Sequence, residues 1–160
     1  MKTVVRLLTC AVLAILLAPV ASAQEEKVAP DKLPTKVAEV IKSRFPGATI
    51  TAATKATENN EVIYDIEMTK DGKKHEIDLK EDGTVINIEH EIAAAELPAA
   101  ITAAVKAKYA GCTIKEVMQI NVLKDNKETL DEYEVIIETA DKKEIELAVS
   151  ADGKKIEEAK

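Results

Sequence analysis

The chain has 160 residues, 22 Lys and Arg against 29 Asp and Glu, a net charge of −7, and only four aromatic residues: Phe45, Tyr64, Tyr109 and Tyr133. An acidic chain this poor in stacking rings is the wrong material for nucleic-acid binding, which needs a basic face. Two Cys are too few for a disulfide scaffold, and 46% hydrophobic residues are too many for a disordered chain.

Residues 1–23 read as a secretory signal. Lys2 and Arg6 form a basic start, Leu7 to Val20 is almost wholly apolar, and Ala21-Ser22-Ala23 is a small-residue cleavage site. The apolar core is short for a membrane span and ends at Pro19, so no stable membrane anchor is expected after cleavage. Removal of Lys2 and Arg6 leaves 20 basic against 29 acidic residues, a mature charge of −9. The expected location is periplasmic or secreted. That compartment is oxidising, yet Cys112 is the one thiol left and cannot form an internal disulfide. Residues 24–32 read as a loose leader.

Residues 33–92 form a first unit. Val37, Val40, Ile41 and Phe45 share one helical face, Pro34 suits the first helical turn, and Pro46-Gly47 stops the helix. A weak strand over 48–57 follows. Val62, Tyr64, Ile66 and Met68 then alternate with Ile63, Asp65 and Glu67, Ile77 and Leu79 with Glu76 and Asp78, and Ile86 and Ile88 with Asn87 and Glu89. This period of two gives each strand one apolar face, turned to the helix, and one wet face. Asp71-Gly72 and Asp82-Gly83 mark hairpin turns.

Residues 93–160 repeat the pattern. Leu33-Pro34 returns as Leu97-Pro98, the Val37/Ile41 stripe as Ile101/Val105, and Phe45-Pro46-Gly47-Ala48 as Tyr109-Ala110-Gly111-Cys112. Tyr64 corresponds to Tyr133, Glu76-Ile77-Asp78-Leu79 to Glu144-Ile145-Glu146-Leu147, and Asp82-Gly83 to Asp152-Gly153. Shared spacing with small loop insertions indicates duplication. The expected fold is α+β: two tandem units, each one helix packed on a four-stranded antiparallel sheet, with the other sheet face open.

The motifs L-P-x-x-V-x-x-x-I-K-x-x-F-P-G-A, Y-x-I-x-M-x-x-D-G-K and E-I-D-L-x-x-D-G-x-V, read from Leu33 to Val85, resemble the PepSY-like, beta-lactamase-inhibitor-like family. The second copy is diluted, with Tyr109-Ala110 in place of Phe-Pro and Ala140-Asp141 in place of the first Asp-Gly. The resemblance implies an exported, non-catalytic binding or inhibitory module, and related PepSY domains are linked to restraining peptidases. It implies no catalytic residue and no cofactor.

Three groups of residues invite a functional reading. The first is acidic. Opposite the helices, strand parity collects Asp65, Glu67, Glu76, Asp78, Glu89 and Glu91, then Glu134, Glu138, Glu144 and Glu146, with Lys74 the nearest base and Ile63 and Ile136 as apolar neighbours. Such a field attracts a basic protein or peptide partner, or cations, although the same charges also keep a strand face soluble. No loop shows the ligand spacing of a calcium site.

The second group is His75 and His90. A two-residue turn at Asp82-Gly83 would set them face to face, as half-buried rim histidines or as a pair that shares a metal and requires a further ligand. The third is Cys112, read either as a small buried residue at the Ala48 position or as the link of a disulfide dimer or a reactive thiol. Tyr64 and Tyr133 read as core. There is no nucleophile elbow, phosphate loop or H-E-x-x-H, so enzyme activity is not expected.

Overall fold

The computed structural model describes residues 25–125 and 127–159. The signal segment read at 1–23 lies outside the described residues. Among the described residues, nine strands form a single antiparallel sheet in strict sequence order: β1 (Glu26–Lys27), β2 (Thr49–Glu58), β3 (Glu61–Lys70), β4 (Lys73–Lys80), β5 (Val85–Glu91), β6 (Thr113–Lys124), β7 (Lys127–Glu138), β8 (Glu144–Ser150) and β9 (Ile156–Glu158). Two helices, α1 (Thr35–Arg44) and α2 (Ala99–Lys108), precede β2 and β6.

The four-stranded sheet expected in each unit is not a sheet of its own, because the strands of both halves belong to one nine-stranded sheet. β5 pairs with β6, Asn87 to Glu91 against Val122 to Met118, so the two halves are one continuous ladder. An inward-facing pattern on β5 and β6 carries no mark of which neighbour each strand takes, and pairing satisfies two edges that would otherwise stand open. The leader is corrected as well. Glu26 and Lys27 pair with Lys55 and Thr54, and Val28 N–H donates to Ala53 C=O at 2.9 Å. Two residues are too few to show a period of two.

Each helix is set by its flanking residues. Pro34 and Pro98 occupy the N-cap rather than the first helical position, and Pro34 C=O accepts the Ala38 N–H at 3.0 Å. The C-terminal residues Phe45 and Tyr109 donate their N–H groups to Ile41 and Val105, after which Gly47 and Gly111 take positive φ. The inner sheet face carries two apolar clusters. Val37 and Ile41 of α1 and the capping Phe45 pack with Tyr64, Ile66, Met68, Ile77, Leu79 and Ile88. Ile101 and Val105 of α2 pack with Val117, Tyr133, Val135, Ile137, Leu147 and Val149. Both tyrosines are core residues, as their parity requires. Leu123 of β6 belongs to the first cluster, so the first core extends under the second half of the sheet.

Two turns behave differently. Asp71 and Gly72, both at positive φ, join the paired Lys70 and Lys73 in a two-residue turn. The β4–β5 loop has three residues, Glu81, Asp82 and Gly83. Gly83 N–H bonds Lys80 C=O, and Lys80 N–H bonds Thr84 C=O, each at 2.9 Å. Leu79 therefore faces Val85, whereas Asp78 faces Asn87, which leaves Ile86 as a bulge. Val85 enters the first core in the place that simple alternation gives to Ile86. The Asn87 side chain accepts the Asp78 N–H at 3.3 Å beside the bulge.

Candidate functional site

The sheet face away from α1 and α2 is built strand by strand from the register. Asp65 faces Asp78, Glu67 faces Glu76, and Glu76 in turn faces Glu89, which places three carboxylates in a row across β3, β4 and β5. On the far side Glu89 faces Ile120, and Ile120 faces Glu132. A parallel row runs Lys74, Glu91, Met118, Glu134 and Ala148, since Lys74 N–H donates to Glu91 at 2.7 Å and the others are register partners. Glu146 faces Ile136, and Glu144 faces Glu138. All ten acids read from parity thus stand on one continuous surface, because the two halves share one sheet.

Neighbouring strands lie about 4.8 Å apart, a distance at which directly opposed like charges destabilise each other. Asp65 shows the consequence. Burial first, and then Asp78, Glu76 and Glu67, push its carboxyl up from 3.8 to about 7. Its Oδ1 is buried and has no hydrogen-bond partner among the described residues. At other points the charge is balanced. Lys74 Nζ donates to Glu116 at 2.7 Å, Lys80 Nζ to Glu61 at 2.6 Å, and Lys142 Nζ to Glu138 at 2.8 Å. The Lys142 contact holds the Glu138 carboxyl below its ordinary range.

The face is not uniformly wet. Glu89 is 4% exposed, and Met118 and Ile120 are 3% exposed, yet neither apolar residue belongs to the two helix-side clusters. Central strands are screened by side chains from both neighbours, so an acid that strand parity alone assigns to solvent is buried at this position. Parity also missed Glu116, Met118 and Ile120, because the register shift at Lys115 reverses the alternation that starts from the inward Ile114. Glu132 shares the unbroken parity of Glu134 and stands beside the second shift, at Asp131, where that alternation begins.

His75 and His90 are register partners, half-buried on the helix side, with Nδ1 to Nδ1 at 2.9 Å and ring centroids 5.2 Å apart. Phe45 lies 5.5 Å from the first ring and 6.3 Å from the second. Among the described residues, no group of three or more His, Cys, Asp or Glu is placed to hold a metal ion. Cys112 is a free, buried thiol, 8% exposed, in the second core.

The family model matches the chain over residues 20–87 and again over 63–157, two overlapping segments consistent with two tandem copies. The chain belongs to the PepSY-like, beta-lactamase-inhibitor-like family. Solved structures agree on the fold. A BLIP-like protein from Bacteroides fragilis matches at TM-score 0.52 and 20% identity, covering 77% of this chain and 84% of its own. A DUF2874 family protein from Bacteroides uniformis matches at TM-score 0.58 and 15% identity, over 78% and 88% of the two chains. A protein from Bacteroides eggerthii, described as "putative periplasmic", matches at 0.58 and 12% identity over the same shares. No curated protein sequence matches the chain. No described helix of this PepSY-like protein is long and apolar enough to cross a membrane.

Proposed function

We propose that this PepSY-like protein is an exported, non-catalytic binding module of the inhibitor type, which engages a basic protein or peptide through its acidic sheet face. The observation that carries this reading is the row Glu67–Glu76–Glu89 with Asp65 and Asp78 beside it, on the face away from both described helices. A fold does not accumulate opposed carboxylates for stability, since each pair costs free energy. The field they create steers a cationic partner and sets its orientation. The buried Met118 and Ile120 make the middle of the face apolar, while Ile136 offers a half-buried apolar contact next to Glu116 and Glu146. The periplasmic description of a relative with this fold accords with the signal read at the N-terminus.

The deciding experiment reverses exposed or half-buried acids and leaves the buried Glu89 in place. Glu67→Lys, Glu76→Lys and Glu146→Lys in one chain are expected to keep the circular dichroism spectrum and to lose a partner retained by the parent from envelope extract. An unchanged set of retained proteins would remove the acidic face from consideration.

A further inference from the structure

The helix side of the sheet carries a row of donor-bearing side chains across three strands. Met68 on β3 is the register partner of His75 on β4, and His75 is the register partner of His90 on β5. Direct partners place their Cβ atoms about 4.5–5.5 Å apart on one face, within the span of a methionine side chain. Met68 lies in the first core at 1% exposure, and the two histidines stand half-buried at its rim.

The two rings are aimed at one point. Their Nδ1 atoms lie 2.9 Å apart in hydrogen-bond geometry, so the in-plane axis of each nitrogen runs toward the other. An atom placed between them meets both lone pairs once the bridging hydrogen has moved to Nε2 of its own ring, a change of tautomer that releases no net proton. Two nitrogen–metal bonds of about 2.0 Å at a trigonal angle set their nitrogens about 3.5 Å apart, an opening of roughly 0.6 Å between two side chains.

The surroundings suit rings that bind a metal. Histidine ligates as the neutral ring. Burial, then His90, Lys70 and Lys73, hold the proton affinity of His75 down, against Asp71 in the turn. On the far side, His90 Nε2 lies 3.8 Å from Glu128 Oε2, and Glu128 Oε1 accepts from Arg44 Nη1 at 3.2 Å. A carboxylate on the outer nitrogen is what orients metal-binding histidines and fixes their tautomer. Phe45 lies against both rings and limits the water that reaches them.

The donor set selects the ion. Zinc takes at least three protein ligands, and no third His, Cys, Asp or Glu joins this pair among the described residues. Calcium and magnesium need oxygen donors, and copper(II) and nickel(II) a square of nitrogen and oxygen. Copper(I) has a filled d shell, accepts two or three ligands, and combines imidazole with a soft thioether. It is also monovalent, so Lys70 and Lys73 repel it half as strongly as a divalent ion.

We propose that Nδ1 of His75 and Nδ1 of His90, with the thioether of Met68, form a three-coordinate site for a soft monovalent ion, copper(I). This site lies on the side of the sheet away from the acidic face and is independent of it.

The test uses Cys112→Ala as the parent, because Cys112 is the one thiol in residues 24–160 and would compete for a soft ion. Silver(I), a redox-inert substitute, in chloride-free buffer should move the nitrogen resonances of both Nδ1 atoms, leave both Nε2 atoms protonated, and saturate at one equivalent. Copper(I), presented by a competing chelator without oxygen, should bind about 100-fold or more weakly to His75→Gln and to His90→Gln, since loss even of a ligand's outer partner costs about tenfold to 100-fold. Met68→Leu, which keeps the core volume, should bind it about tenfold or more weakly. Met118→Leu, on the acidic face, should bind as the parent does. Zinc should bind to the parent about 100-fold more weakly than copper(I). Copper(I) affinity unchanged in the His75→Gln, His90→Gln double variant or in Met68→Leu, zinc bound as tightly, or silver that leaves the Nδ1 resonances unmoved would overturn the proposal.

Discussion

Asp65 on β3 lies directly opposite Asp78 on β4, and one oxygen of Asp65 is buried without a hydrogen-bond partner among the described residues. A carboxyl raised from 3.8 to about 7 holds its proton more tightly folded than unfolded. Its effect on stability is absent below about pH 4, where both states are protonated. It grows as pH rises and is complete above about pH 7, where the folded state must carry a charge it disfavours. Asp65→Asn is therefore expected to stabilise the protein at pH 8 by an amount on the order of a few kcal/mol, and to leave it nearly unchanged at pH 4. Urea midpoints at the two pH values measure this. Equal shifts at both would show that Asp65 ionises normally.

The two Asp-Gly turns that touch helices should respond differently from the one that does not. A Cβ on Gly153 would stand 3.2 Å from Ile101 Cγ1, and one on Gly83 would stand 3.3 Å from Val40 Cγ2, whereas one on Gly72 would meet nothing within 4 Å. All three have positive φ, which disfavours a side chain by about 1 kcal/mol or more. Gly72→Ala should show that cost alone. Gly83→Ala and Gly153→Ala should lose more, because the helix must also shift. Chemical denaturation of the three variants gives the order.

The sequence carried the repeat, both helices, the hairpins and the acid-bearing strand parity, because each rests on local pattern. It did not carry the β5–β6 junction, which depends on two strands separated by a helix. The histidine pair shows why a local error need not spread. The β4–β5 loop has three residues rather than two, but the bulge at Ile86 adds one residue to the opposite strand, so His75 still meets His90. The cost appears at Val85 and Ile86, whose roles are exchanged. A similar shift in β6 hid Glu116, Met118 and Ile120, and the burial of Glu89 arises from strand neighbours that no single segment encodes.

Cys112 sits where the first half has Ala48, and at 8% exposure its sulfur is shielded by the second core. The thiol is therefore expected to react with a disulfide reagent at least tenfold more slowly in the native protein than in urea. Cys112→Ala should cost no more than about 1–2 kcal/mol, since only a small side chain is lost. Fast native labelling would mean that the helix end opens readily, the condition a disulfide-linked dimer requires.

The final expectation concerns cooperativity. Ile77 and Leu147 are fully buried, one in each core, so truncation of either to Ala should cost about 2–5 kcal/mol. With separate sheets, each loss would remain in its own half. Here the ladder is continuous through β5 and β6, Leu123 of the second half packs in the first core, and Arg44 reaches Glu128 at 3.2 Å. Each variant should therefore lower amide protection in both halves, with Ile77→Ala exposing Val135 as much as Ile66 and Leu147→Ala doing the reverse. Protection lost in only the mutated half would mean that the β5–β6 pairing joins two units that unfold on their own.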